Sequence, residues 1–342
     1  MTASTGTRLR TPEEIALRAG LDFPRLLPPG RQVFAERALR LRQLAAGHAM
    51  RDYLLLMALV CEAQHERLQQ HPAVPLPSAA QADVAAAAGQ PLLGATRWAP
   101  DAVWRDELRA LLDQVLQRLP QDSPARAGVQ AARALDDAAL QRQAERLLAG
   151  IPLGLDLATA PMVAAGLQLH WTHLVSATAA ALPSPFGVTD DATRCPCCGS
   201  LPTASVTRVG AEQDGHRYLH CALCSAQWHM VRVKCTHCQG TGGIHYQALQ
   251  ALADDTAAPG TPRTREAVQA ETCDHCGHYL KIVHMDKDLQ VEPVADDLAT
   301  LTLDLLVSEA GFQRHGTNLL LLFGDGESDD AVGGAPPERG PA

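Results

Sequence analysis

Four Cys-x-x-Cys pairs stand in the C-terminal half of this chain: Cys195/Cys198, Cys221/Cys224, Cys235/Cys238 and Cys273/Cys276. They use eight of its ten cysteines. The spacing puts two sulfurs on one tight turn, within reach of one metal ion, and two facing turns make a tetrahedral S₄ cage. Four pairs within about eighty residues therefore predict two Cys₄ metal centres. An all-thiolate tetrahedron suits zinc and a single rubredoxin-type iron alike. Four protein ligands leave no open position, so the chemistry expected is structural or electron-handling rather than Lewis-acid catalysis.

The ten residues between Cys224 and Cys235, SAQWHMVRVK, read as a strand. Extended at about 3.3 Å per residue they span roughly 30 Å, which separates the second pair from the third. Sequential pairing follows: Cys195, Cys198, Cys221 and Cys224 at one site, and Cys235, Cys238, Cys273 and Cys276 at the other. A cross-braced pairing of the first turn with the third is the alternative. Gly199 and Gly277 trail their pairs and can take the positive φ that aims backbone N–H groups at sulfur. Ser225 and Gln239 stand at the other two turns, so those knuckles are expected to be less regular. Cys197, His237 and His275 lie inside pairs that already complete four-fold cages and are read as lying outside the ligand shell. Cys61 falls on an apolar helical face and is assigned to the core.

These turns need elements to carry them. Short β-type runs fall at 203–209, 216–220, 227–234, 244–249, 267–272 and 279–285, each beside a cysteine pair. Residues 1–190 read as helical. Thr11-Pro12-Glu13-Glu14 is a helix start, and periodic apolar positions mark helices near 31–46, 50–68, 101–119, 124–149 and 160–182. A Pro/Ala/Gly-rich connection covers 71–97, and Leu182-Pro-Ser-Pro-Phe186 ends the helical part. A last helix is expected from Val294 to Ala310. The expected fold is multidomain α+β: an all-α bundle (1–190), two rubredoxin- or zinc-ribbon-like β modules (191–234 and 235–312, the second ending in the C-terminal helix) and a mostly disordered tail (313–342). Hairpins this short cannot bury a core alone, so the metal half should depend on its ions and the helical half should fold without them.

Composition narrows the function. The 342-residue chain carries a formal charge of −9. Between Thr193 and Gln290, nine Lys/Arg face nine Asp/Glu, and eight thiolates with two divalent ions add a net −4. That disfavours a zinc-ribbon nucleic-acid binder, the alternative reading, although Arg208, Arg217, Arg232 and Lys234 offer a local patch. A dithiol oxidoreductase would carry one redox pair at a helix start, not four among hairpins. No Gly-rich phosphate loop and no Ser/His/Asp set is visible, so no catalytic residue is assigned. The N-terminus lacks a secretory signal, and the apolar run 162–182 is interrupted by Gln168, His170 and His173. A cytoplasmic protein without membrane insertion is expected, its thiols kept reduced.

The runs CPCCGSLPTASV (195–206), RYLHCALCSAQWHMVRVKCTHC (217–238), ETCDHCGHYLKIV (271–283) and EPVADDLATLTLD (292–304) resemble the FdhE-type formate dehydrogenase accessory proteins. The resemblance is close over the C-terminal half and looser over the helices. Residues 250–266 and the acidic stretch after Leu322 look like local additions. The resemblance implies a non-enzymatic cytoplasmic maturation factor with two rubredoxin-like centres, iron favoured. It implies action on the catalytic subunit of respiratory formate dehydrogenase before twin-arginine export. All eight paired cysteines match the family's ligands. The VADD motif slightly favours Asp296 and Asp297 as partner contacts, against an acidic first turn that merely complements the helix dipole.

Overall fold

The computed structural model describes residues 23–97, 102–210, 213–249 and 267–322. The helix start at Thr11, the insertion 250–266 and the end of the tail lie outside them. Among the described residues nine helices and eight strands form. The helical part comprises α1 (Val33–Leu44), α2 (Arg51–Gln69), α3 (Ala79–Ala87), α4 (Val103–Arg118), α5 (Ala125–Ala134), α6 (Asp137–Ala149) and α7 (Ala160–Ala181). Helix α7 is the axis of the bundle. It starts with a Pro in its first turn, and sixteen of its side chains are buried, Met162 through Thr172 without interruption. Two buried amides tie it to its surroundings: Gln64 of α2 donates to Ala165 O at 2.9 Å, and Gln168 donates to Ala222 O at 2.7 Å. No helix among the described residues is long and apolar enough to cross a membrane.

Two expected helices are in fact pairs. The stretch 124–149 breaks at Leu135, because the Asp136 carboxylate caps a new helix by accepting from Ala139 N at 2.7 Å. The C-terminal helix divides into α8 (Pro293–Ala299) and α9 (Leu301–Glu309). At the break the buried Lys281 ammonium donates to Asp297 O at 2.6 Å, and the Thr300 hydroxyl donates to Asp296 O at 2.8 Å. Those carbonyls are thereby diverted from a continuous helical ladder. Helix α3 lies inside the Pro/Ala/Gly-rich connection, and a full Ser78/Gln81 capping box starts it.

The strands are β1 (Leu26–Leu27), β2 (Pro202–Thr207), β3 (Arg217–Cys221), β4 (Gln227–Met230), β5 (Ile244–Gln247), β6 (Val268–Cys273), β7 (His278–His284) and β8 (Gln313–Arg314). They form one sheet in the order β1-β4-β3-β2-β7-β6-β5, with β8 beside β7. Each half repeats one plan: knuckle, strand, strand, knuckle, strand. The halves join where β2 runs parallel to β7, Ser205 opposite Ile282 and Thr207 opposite His284. The two expected modules thus share a sheet. The first is also continuous with the bundle, since Cys195, Cys198, Cys221, Cys224, Leu219 and Trp228 belong to the same apolar core as Leu41, Leu108 and Trp171.

The segment after α9 departs from the expected disorder. Residues 313–322 pack on the protein: β8 pairs with β7, Leu320 is fully buried, and the Tyr53 hydroxyl donates to its carbonyl. The tail's Gly, Pro and Asp are concentrated after Leu322. The run Asn318-Leu-Leu-Leu-Leu322 has enough apolar surface to be held.

Candidate metal centres

The first cage assembles from a knuckle before β2 and the β3–β4 turn; the second from a knuckle after β4 and the β6–β7 turn. Cys195 Sγ lies 3.6 Å from Cys224 Sγ, and Cys198 Sγ lies 3.4 Å from Cys221 Sγ. In the second cage Cys235 lies 3.7 Å from Cys276, and Cys238 lies 3.8 Å from Cys273. A tetrahedron with metal–sulfur bonds of about 2.3 Å has edges near 3.8 Å, whereas a disulfide would be about 2.05 Å. Both sets therefore fit one tetrahedral ion each, and the pairing is sequential. The strand between the second and third turns is shorter than the expected 227–234, since β4 ends at Met230.

All four knuckles turn alike. The residue after the second cysteine is left-handed in each: Gly199 at φ 76°, Ser225 at 58°, Gln239 at 61° and Gly277 at 69°. The irregularity expected at Ser225 and Gln239 is absent, because the metal-binding turn sets the backbone and the side chain bears the strain. Cys195 N donates to Ser200 O, Cys221 N to Ala226 O, and Cys235 N to Gly240 O, at 2.8–3.0 Å. Backbone N–H groups at Leu223, Cys224 and His237 reach sulfur at 3.4 Å. A left-handed non-glycine residue costs roughly 1–2 kcal/mol. Gln239→Gly should therefore raise stability by about 1 kcal/mol, read as an increased unfolding midpoint with metal content unchanged; a lower midpoint would contradict this account.

The two cages sit in different surroundings. Cys195, Cys221 and Cys224 are fully buried and Cys198 is 1% exposed, whereas Cys238 and Cys276 are only half-buried. The bundle clamps the first cage. Leu93 N donates to Cys197 O at 2.9 Å, Ala95 N to Cys198 O at 2.8 Å, and α7 holds Ala222 through Gln168. Burial pushes the Cys221 and Cys224 thiols well up, and the Cys195 and Cys198 thiols add to it in both. At Cys195 burial also acts upward, but hydrogen bonds from Cys197, Cys198, Cys221 and Cys224 outweigh it and bring that thiol well down. Four thiolates enclosed together need a cation among them.

Around the second cage, burial pushes Cys235 up to about 12, while a hydrogen bond from the Gly240 backbone lowers Cys238. His237 stacks on His278 at 3.7 Å and 9°, with His315 edge-on. His237, Cys276 and His278 bring ligand atoms within 4.8 Å of one another. Parallel rings direct their in-plane lone pairs side by side rather than toward one ion. His275 is exposed and takes no part. Cys197 is buried against the first cage, and burial raises its thiol well above the ordinary value. Cys61 is fully buried in the bundle, its thiol pushed up to about 12 by burial.

Asp296 and Asp297 require a correction. They are 0% and 2% exposed and offer no surface to a partner. Arg40 grips Asp296 with two nitrogens at 2.7 and 2.9 Å. Asp297 receives Lys281 at 3.0 Å, Arg314 at 2.7 Å and the Asn318 amide at 2.8 Å. Burial acts against the Asp297 anion, but Arg314 and Lys281 outweigh it and hold the carboxyl below its usual range. Burial raises Asp296, yet the bidentate Arg40 and the Glu292 N–H fit its ionised form. A neighbouring group was not apparent from sequence: Arg37, fully buried, donates to Glu292 at 3.0 Å and to Ser225 Oγ at 3.3 Å. Arg37, Arg40, Glu292 and Asp296 weld α1 to α8. A charged side chain on an amphipathic helix is usually solvated, so nothing local to α1 marks Arg37 and Arg40 as buried.

The basic patch considered for nucleic acid loses its centre, because Arg217 is buried and paired with Glu271 at 2.9 Å.

Comparison with known proteins places this architecture. Residues 23–185 match the N-terminal domain of FdhE, 194–232 its central domain and 233–321 its C-terminal domain. The chain belongs to the FdhE family. FdhE of Escherichia coli O9:H4 is 35% identical over 304 residues, covering 89% of this chain and 93% of that protein. An FdhE homolog of Cronobacter sakazakii is 34% identical over the same coverage. The crystal structure of the FdhE protein from Pseudomonas aeruginosa superposes with a TM-score of 0.72 at 34% identity, covering 88% of this chain and 100% of that one. In FdhE terms the first cage lies within the central domain, and the second within the C-terminal domain.

Proposed function

We propose that this protein is a non-enzymatic, cytoplasmic accessory factor for respiratory formate dehydrogenase. It binds the catalytic subunit before twin-arginine export. The observation that carries this reading is the match to all three FdhE domains along a chain whose eight paired cysteines form two S₄ cages. Cys195, Cys198, Cys221 and Cys224 hold one ion, and Cys235, Cys238, Cys273 and Cys276 hold the other. Iron is favoured by the resemblance, and zinc fits the same donors. When bound, either ion fixes the knuckles, and iron adds one-electron redox chemistry. The chain's own residues supply the rest. Backbone N–H groups orient the sulfurs, Arg37 and Gln168 tie the first cage to the bundle, and the helical half offers docking area.

The test is a pull-down of the tagged chain from anaerobic cytoplasm, with metal measured on the retained complex. Retention of the catalytic subunit and two ions per chain is expected. A chain that binds no formate dehydrogenase subunit, or carries no metal with its cysteines disulfide-bonded, would overturn the reading.

A further inference from the structure

A groove crosses the face where the bundle meets the sheet. One end is a cavity of about 420 Å³ lined by Leu147, Ile151, Leu155, Leu298, Leu301 and Leu322. It adjoins a second, of about 580 Å³, with which it shares the lining residues Leu147, Gly150, Leu201, Thr317 and Leu319. The second cavity ends against the first metal knuckle, at Cys198, Gly199 and Ser200. The floor is apolar, and Ile151 on its edge is 47% exposed.

The rim is basic in an otherwise acidic protein. Arg97, Arg146 and Arg194 line the groove. Among the described residues Arg97 donates to Gln90 Oε1 and the Pro91 carbonyl, and Arg146 to the Leu153 carbonyl. Among the described residues neither meets a carboxylate. Arg194 has only an exposed contact at 3.5 Å with Asp191. The acids that reach the groove, Asp297 and Asp304, are already matched by Lys281 and Arg314. An apolar floor with unmatched guanidinium groups at its edge complements an apolar peptide flanked by acidic side chains. The chain's own acidic end, FGDGESDDAVGGAPPERGPA, has the charge but only Phe323 and Val332 as large apolar groups, too few to fill the floor.

We propose that this groove is the docking site for an apolar, acid-flanked peptide segment of the client enzyme, seated beside the first knuckle. This rests on the accessory-factor reading above. The test uses the full-length, metal-loaded chain co-expressed with the formate dehydrogenase catalytic subunit. A benzoyl-phenylalanine photocrosslinker is placed at Ile151 or, as a control outside the groove, at Leu39. The Ile151 probe should link to an apolar client stretch carrying Asp or Glu within a few residues, and the Leu39 probe should not. The double variant R97E/R146E should retain the client about tenfold less well, with helicity and metal content unchanged. Crosslinks to a second copy or to residues 323–342, or unchanged retention by R97E/R146E, would overturn the groove assignment while leaving the functional reading intact. A wild-type chain that retains no client would overturn both.

Discussion

Replacing Cys195 and Cys198 with serine should remove one of two ions and destabilise the whole described fold, helices included. Structural zinc contributes about 10–16 kcal/mol in small peptide sites, and whole domains are stable by only about 5–15 kcal/mol. The first cage is enclosed by the same apolar core that holds α4 and α7, and its knuckles accept backbone hydrogen bonds from Leu93 and Ala95. Collapse there leaves polar and thiol groups unsatisfied in the bundle's interior. The matching pair, Cys235→Ser with Cys238→Ser, should also lose one ion but spare the helices, because the second cage lies at the protein's edge with two half-buried sulfurs. Metal content and far-UV dichroism of the two double variants decide the matter. Equal loss of helicity, or none in either, would contradict the asymmetry. The expectation that the helical half stands apart from the metals is thereby revised for the first site and retained for the second.

Arg37→Met should cost about 3–5 kcal/mol, the usual penalty for leaving a buried carboxylate without its partner. Glu292 is 7% exposed, and burial already raises its pKa against the pull of Arg37. Its second oxygen caps α8 by accepting from Val294 and Ala295 N at 3.1 and 2.7 Å. Losing the guanidinium therefore threatens the cap as well as the charge balance. It also removes the contact to Ser225, whose strained turn closes the first cage. Adding Glu292→Gln should restore most of the stability, since a neutral amide needs no counter-charge and keeps an oxygen for the cap. Denaturant midpoints of the wild type, the two single variants and the double variant give the coupling. Additive losses would show that Arg37 and Glu292 act independently.

What was legible follows from how local each signal is. The cysteine turns, their sequential pairing, the six main strands and the long buried helix are encoded by spacings within a few tens of residues. So was the core assignment of Cys61. The misreadings share another cause. Asp136 and Thr300 break helices through side-chain hydrogen bonds that periodicity does not weigh. Asp296 and Asp297 look like surface acids until Arg40, Lys281, Arg314 and Asn318 arrive from as many as 256 residues away. Ser225 and Gln239 show that a knuckle imposes its backbone even where glycine is missing. The groove has no local signature, because its walls come from α6, the 316–322 segment, α8, α9 and the first knuckle.

The parallel β2–β7 join has a mechanical consequence. Along that seam the ladder pairs residues 205–207 with 282–284, and Arg217 of β3 crosses between the half-sheets to Glu271 of β6 at 2.9 Å. Neither cage straddles it. Lys281 of β7 is held by Asp297 and Asp304, and Arg40 ties α8 to α1, so the outer half-sheet also reaches the bundle by a route that bypasses the seam. Strain applied at either ion would therefore be shared between the sheet and the charged helices behind it.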